Sequence, residues 1–215
     1  METNNPNVQP EATENAPVVE KKISKKTIGT IAAIVLAIVV IGLIWYFISS
    51  SASKKADEAI ALADTEMNDS IALNRYMEAA ALGTKSGNRA KLEAAIRLYN
   101  KGDYQQAISY LDDASTDSKV VEAGKYTLMG DCYVNLENYD KALSSYDKAI
   151  SASDNNPQIV PFVLVKKANI YRAQGNYSEE YKAYQTIFDK YPEYANNLSF
   201  DIRKYAERAK AAAGK

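Results

Sequence analysis

Three segments of this 215-residue chain can be laid on one another, and their repeat constrains the fold more than any other feature does. The segments are GDYQQAISYLDDA (102–114), ENYDKALSSYDKA (137–149) and GNYSEEYKAYQTI (175–187). Tyr104, Tyr139 and Tyr177 coincide in them, at spacings of 35 and 38 residues. An apolar-periodic helical stretch precedes each segment, so the pattern predicts consecutive helix-turn-helix units. One such unit cannot bury its own apolar face, and several must therefore stack to form a stable domain.

The repeated pattern resembles the tetratricopeptide repeat (TPR), whose period is 34 residues. The clearest copy begins near Ala123 and has the small and aromatic residues of the motif: Tyr126, Gly130, Tyr133, Tyr139, Ala142, Tyr146 and Ala149. The third copy, from about Pro161, matches at Leu164, Ala168, Tyr171, Tyr177, Tyr184 and Pro192. It departs from the motif at Glu180 and Ile187, where alanine is usual. The first copy, from about Asn88, is weaker. The resemblance therefore implies three repeats, at 88–122, 123–160 and 161–195.

The residue types at these positions have a packing explanation. Ala142 and Ala149 are seven residues apart, so they share one face of the second helix, with Tyr146 as a bulky side chain between them. Gly102 and Gly175 provide permissive backbone for the turn that precedes the second helix. The chain has 16 tyrosines, and most of those after residue 98 are predicted to be repeat aromatics.

Both ends of the repeat array need a covering element. Towards the C-terminus, an apolar stripe at helical spacing predicts a capping helix over 198–212, within a final segment 196–215: Ile202, Tyr205, Ala206 and Ala209. On the N-terminal side, the segment 51–87 contains two stretches that also look helical, 54–67 and 70–82, and Asn68 and Asp69 could break and cap these helices. This segment is predicted to be either a helical stalk or a degenerate repeat, and the residues do not decide between the two.

Residues 28–48 form an uncharged apolar run, IGTIAAIVLAIVVIGLIWYFI, long enough to cross a bilayer. Trp45 and Tyr46 lie near its end, where amphipathic rings favour the headgroup level. A buried core helix would have a polar face, and a signal peptide has an apolar region of only about 7–15 residues. We therefore predict a retained signal-anchor helix over 27–50, with cleavage within the small residues 49–53 as the second interpretation.

Lysines flank this span unequally. Four of them precede it and two follow it closely: Lys21, Lys22, Lys25, Lys26, Lys54 and Lys55. This imbalance predicts a cytoplasmic N-terminus and a translocated C-terminal domain. The polar, proline-containing residues 1–26 are predicted to be a disordered cytoplasmic tail. The alternative is the reverse topology, a receptor that faces the cytosol.

Composition removes several classes of function. The chain has no histidine and one cysteine, Cys132, which excludes histidine-based catalysis, histidine metal ligation and a multi-cysteine zinc site. A net charge of −1 disfavours nucleic acid as a partner. The Ser145-x-x-Lys148 match, expected at an exposed helix edge, lacks the companion motifs of Ser-Lys hydrolases. We therefore predict no enzymatic activity, no cofactor or metal and no small-molecule substrate.

A binding surface is the stronger hypothesis. In the TPR architecture the first helix of each repeat lines a concave face, which takes a peptide or a partner helix. The motif positions assign eight residues to that face: Arg89, Ile96, Tyr99, Asp131, Asn135, Phe162, Asn169 and Arg172. Their mixed chemistry favours an extended peptide over a highly charged ligand. The carboxylate clamp of the family, which binds the C-terminal tail of a chaperone, requires lysine and asparagine at two positions where this chain has Leu92 and Ile96. The resemblance therefore does not imply binding of such a tail.

The order of tail, single anchor and TPR domain resembles the YfgM-like family of bacterial inner-membrane proteins. That resemblance implies an ancillary subunit of the SecYEG translocon in the periplasmic chaperone network, with translocated envelope proteins as partners. The alternative is a general envelope scaffold for an outer-membrane, division or secretion complex. Both readings predict a non-enzymatic protein-binding module in the periplasm.

Overall fold

The structure is a computed structural model that describes residues 24–197 and 201–214. These residues contain ten helices and no strand, which confirms the all-α class. The helices are α1 (Lys25–Asp64), α2 (Asp69–Ala81), α3 (Lys85–Lys101), α4 (Tyr104–Asp113), α5 (Lys119–Asn135), α6 (Tyr139–Ala152), α7 (Ile159–Ala173), α8 (Tyr177–Lys190), α9 (Pro192–Asn197) and α10 (Ile202–Ala212). The chain divides into two compact units, the first ending at Phe47 and the second beginning at Ile48. Residues 1–23 of the predicted tail lie outside the described residues.

The first unit holds the apolar part of α1. Its large apolar side chains, from Ile28 to Phe47, are between 46% and 71% exposed, so this is not a core helix. Within the described residues, α1 alone is long and apolar enough to cross a membrane. A signal sequence near the N-terminus would have the same length and apolar composition. Retention of the anchor and its orientation stay predictions.

The second unit contains three successive helix hairpins: α3 with α4, α5 with α6, and α7 with α8. Gly102 and Gly175 adopt left-handed backbone at the turns of the first and third hairpins, with φ of 85° and 71°. The equivalent residue of the middle hairpin is Glu137, which is held at φ 56° despite its side chain. Asn138 and Asn176 then cap α6 and α8 through hydrogen bonds accepted by their side-chain oxygens.

Small residues allow close packing inside the middle hairpin. Ala142, Tyr146 and Ala149 of α6 are all buried, with exposures of 2% or less. A Cβ atom added at Gly130 of α5 would lie 2.3 Å from the Tyr146 ring. The glycine at this position is therefore required by the aromatic residue that packs over it.

Residues 48–64 of α1 belong to the core of the second unit. Ala56, Ile60 and Ala63 are buried together with Leu73 and Tyr76 of α2. The Tyr76 hydroxyl also donates a hydrogen bond to Asp64. The segment predicted as a stalk or a degenerate repeat thus contributes two packed helical stretches, and Asn68 caps the second of them. The assignment of 51–87 and the individual repeat boundaries stay predictions.

The C-terminal end of the second unit is covered by α10, which packs on α8. Ile202, Ala206 and Ala209 are buried in this contact, in agreement with the predicted apolar stripe. Arg208 of α10 donates to Oε1 of Glu180 at 2.6 Å. Glu180 stands where the repeat pattern usually has alanine, and the arginine neutralises its buried carboxylate. Residues 198–200 of the predicted cap lie outside the described residues.

Candidate functional site

A pocket lies between α5 and α7, beside the end of α3. Its cavity is about 270 Å³ and its lining includes the rings of Tyr99, Tyr139 and Tyr146. We call it the central pocket, and its full lining is Tyr99, Asp131, Val134, Asn135, Tyr139, Tyr146, Lys166, Asn169, Ile170 and Ala173. Aromatic and aliphatic walls with a few polar groups are typical of a site that recognises another molecule.

One carboxylate organises the polar side of the central pocket. The Lys166 ammonium lies 2.9 and 3.0 Å from the two carboxylate oxygens of Asp131. The Tyr146 hydroxyl donates to Oδ1 of the same carboxylate at 2.5 Å. Burial raises the pKa of Tyr146, and the hydrogen bond to Asp131 raises it further, so the phenol stays protonated as a donor. Asp131 thereby joins α5, α6 and α7.

Two exposed asparagines, Asn135 and Asn169, also line the pocket. The Asn135 amide donates to the backbone carbonyl of Asp131 at 2.9 Å, one helical turn earlier. Asn169 is exposed, and in the described part of the chain its side chain has no hydrogen-bond partner. Burial raises the pKa of Tyr99, and the negative charge of Asp131 adds to the shift. The pocket therefore offers neutral hydroxyl and amide groups around one closed ion pair.

A second cavity, of about 230 Å³, adjoins the central pocket through Asn169. Its lining comprises Val165, Asn169, Arg172, Tyr184 and Tyr205. The two cavities share one asparagine, so an extended segment that leaves the central pocket would next meet Arg172.

Comparison with known proteins identifies the repeats. The family description "Tetratricopeptide repeat" matches residues 126–156 and again residues 162–194. These two segments are tetratricopeptide repeats. Among solved structures, the chain resembles the crystal structure of MamA with a TM-score of 0.55 and 20% identity, over 66% of this chain and 81% of that one. No curated protein matches the chain.

The presence of TPRs gives the general type of function, because such repeats indicate a protein–protein interaction module. The matched residues lie within the second and third predicted repeats. These two segments provide nine of the ten residues that line the central pocket, and Tyr99 of α3 is the tenth. At 20% identity the likeness to MamA concerns the fold alone.

The structure brings half of the eight predicted TPR surface residues together in one pocket. Tyr99, Asp131, Asn135 and Asn169 all line the central pocket, and Arg172 lines the adjoining cavity. Their predicted role in binding stays a prediction.

The other three lie elsewhere. Arg89 is engaged by Asp64 at 2.9 Å, and Ile96 is 43% exposed without lining either cavity. Phe162 is 46% exposed, and its ring lies 4.9 Å from the Lys166 ammonium. It is therefore linked to the central pocket only through that lysine.

The sequence pattern did not identify Lys166, although this residue forms the ion pair of the central pocket. It follows Asp131 by 35 residues, close to one TPR period, so the two charges occupy similar levels on neighbouring helices. A search for opposite charges one period apart would have found the pair. The repeat pattern assigns Tyr146 only to helix packing, although its hydroxyl also donates a hydrogen bond to Asp131 in the central pocket.

The nucleophile candidates are buried in the TPR core. Cys132 is fully buried, and burial raises its pKa to about 12, which keeps the thiol protonated. Ser145 was expected at an exposed helix edge, and this expectation is wrong. Ser145 is 4% exposed and its hydroxyl donates to the Lys141 carbonyl at 2.9 Å, because the small residue packs inside the hairpin. No cluster of metal-binding side chains occurs among the described residues.

Proposed function

We propose that this chain is a non-enzymatic interaction protein anchored in the bacterial inner membrane by residues 28–48, with its TPR domain in the periplasm. The domain binds an extended segment of a partner protein across the central pocket. The observation that supports this most is the convergence of Tyr99, Asp131, Asn135 and Asn169, from three different helices, on one cavity.

The chemistry of the central pocket suits a peptide better than a metabolite. Asparagine amides can pair with a peptide backbone, and tyrosine rings give rigid apolar contact with a polar end. The adjoining cavity extends the same surface towards Arg172, whose guanidinium can anchor a carboxylate or a turn of the peptide. A cavity of about 270 Å³ is small for a cofactor-sized ligand but large enough for one anchoring side chain.

The proposed partners are the SecYEG translocon, a periplasmic chaperone and newly translocated envelope proteins. The order of polar tail, apolar span and TPR domain supports this assignment through its resemblance to the YfgM-like family. The domain would receive or hand over chains as they leave the channel.

Affinity purification of the full-length protein from solubilised membranes, followed by mass spectrometry, tests the proposal. We expect translocon subunits and a folding factor to co-purify. Asn169→Arg should reduce that capture because Asn169 is common to both cavities. Ser144→Arg is the matched control, since Ser144 is an exposed residue of α6 that lines neither of these two cavities. A dedicated envelope complex without translocon subunits would instead support the general scaffold.

Protease treatment of spheroplasts tests the topology separately. Externally added protease should digest everything after about residue 50. Complete protection of that part would overturn the assigned orientation, and a protein that is released in soluble form would show that the apolar segment is cleaved.

A further inference from the structure

We infer that Asp131 determines which ligands the central pocket accepts, because it neutralises Lys166. The pocket then binds an uncharged, apolar side chain of a partner peptide and rejects an acidic one. This inference rests on the proposed function, since it names the class of side chain that the peptide must present.

The two charges of the pocket are already paired with each other. Lys166 contacts both oxygens of Asp131, and Oδ1 also accepts the Tyr146 hydroxyl. The Lys166 and Asp131 side chains are only 25% and 20% exposed, so solvent screens the pair less than it screens a surface ion pair. An acidic ligand would have to displace Asp131 from Lys166 and then lie beside an unpaired carboxylate. Repulsion between like charges therefore opposes its binding.

The remaining lining favours an apolar anchor. Tyr99, Tyr139 and Tyr146 present rings, and Val134 and Ile170 add aliphatic surface. A cavity of about 270 Å³ lies just below the range of about 300–1,000 Å³ typical of small-molecule sites, which points to one inserted side chain. The amides of Asn135 and Asn169 stand at the same cavity, where they can pair with the backbone on either side of that anchor.

Selection of phage-displayed random dodecapeptides against the full-length protein in lipid nanodiscs tests the inference. The wild type should enrich peptides with Leu, Ile, Phe or Tyr at one anchor position. Asp131→Asn frees the Lys166 charge and keeps an oxygen that can accept the Tyr146 hydroxyl. This variant should bind the acidic-anchor version of a selected peptide about tenfold more tightly than the wild type does, the equivalent of one charge-assisted hydrogen bond.

Lys166→Met provides the reciprocal test, because it leaves the Asp131 carboxylate without its cation. It should shift the selected anchor towards Lys or Arg. Both variants should keep a melting transition, measured on the same nanodisc samples. If one variant fails to fold, the other still decides the question.

Ala173→Phe separates this inference from the proposed function. Ala173 is an exposed residue of the pocket lining, and a phenylalanine there should fill the cavity and abolish peptide binding. Ala211→Phe is the matched control at an exposed alanine of α10. If Ala173→Phe abolishes binding but neither charge variant changes the anchor preference, the role of Asp131 is refuted and the proposed function stands. If wild type selects no peptide, or Ala173→Phe binds normally, both are refuted.

Discussion

Replacing Gly130 by alanine should destabilise the domain, although alanine is the better helix former. A Cβ atom at residue 130 would lie 2.3 Å from Cε1 and 2.5 Å from Cδ1 of Tyr146. The Tyr146 ring would have to retreat by about 1 Å to reach ordinary van der Waals contact. It has little room to do so, because it is 2% exposed and its hydroxyl is bonded to Asp131.

The magnitude follows from two opposing effects. Overpacking of a filled core costs about 1–3 kcal/mol, and weakening the hydrogen bond to the Asp131 carboxylate adds to that cost. The gain from replacing glycine in a helix interior is about 0.5–1 kcal/mol. We therefore expect Gly130→Ala to lose about 1–3 kcal/mol of unfolding free energy. In a domain of this size, that corresponds to a fall in melting temperature of about 2–4 °C for each kcal/mol.

Gly124→Ala in the same helix is the control. Gly124 is exposed and a Cβ atom there would meet nothing within 4 Å, so this substitution should stabilise the domain by about 0.5–1 kcal/mol. The assay is urea unfolding of residues 48–215 followed by far-UV circular dichroism. Opposite signs for the two glycines are the expected result. Equal stabilisation by both would refute the packing of Tyr146 over Gly130.

Three further predictions concern the same fragment. Glu137→Gly should raise the free energy of unfolding in urea by about 1 kcal/mol, because Glu137 has φ 56° where the other hairpins have glycine. A lower free energy of unfolding in the variant would contradict the assigned backbone strain. Ala142→Phe should lower the free energy of unfolding by about 1–3 kcal/mol, because Ala142 is fully buried. Lys148→Phe, at an exposed site, should change it by no more than about 0.5 kcal/mol, and equal effects of the two substitutions would mean that the helix register is wrong. The hydrogen bond from Tyr76 lowers the pKa of Asp64 below its ordinary value of 3.8. The ionised Asp64 carboxylate therefore stabilises the fold at pH values above 3.8, and this stabilisation is lost as the pH falls through the lowered pKa. Asp64→Asn should accordingly weaken the acid dependence of the melting temperature, and an unchanged acid dependence would exclude this role.

Much of the fold follows from the sequence because the repeat positions have strict packing requirements. Ala142, Ala149 and Gly130 are small where two helices approach closely, and Tyr146 is large where the space between them must be filled. Glu137 shows the limit of this reasoning. Its turn keeps the backbone of the glycine-containing hairpins, so the hairpin geometry overrides the local preference of the residue.

The site could be predicted only in part. Asn135 and Asn169 lie near the ends of their helices, and the central pocket is at that level. Phe162 precedes Asn169 by seven residues, which places it about 10 Å away along the helix axis. Motif positions predict which face of a helix a residue occupies, but not how far along the helix axis the pocket lies. They also do not predict which charged side chains form ion pairs. The Asp131–Lys166 contact depends on how neighbouring repeats stack.

Site-specific photocrosslinking in intact membranes tests the central claim most directly. A photoreactive amino acid at Asn169, in the central pocket, should form crosslinks to the native partner protein. The same amino acid at Ser144, exposed on α6, should form few or none. Crosslinks from residue 144 with none from residue 169, at equal protein levels in the membrane, would contradict the account and move the interaction to another surface.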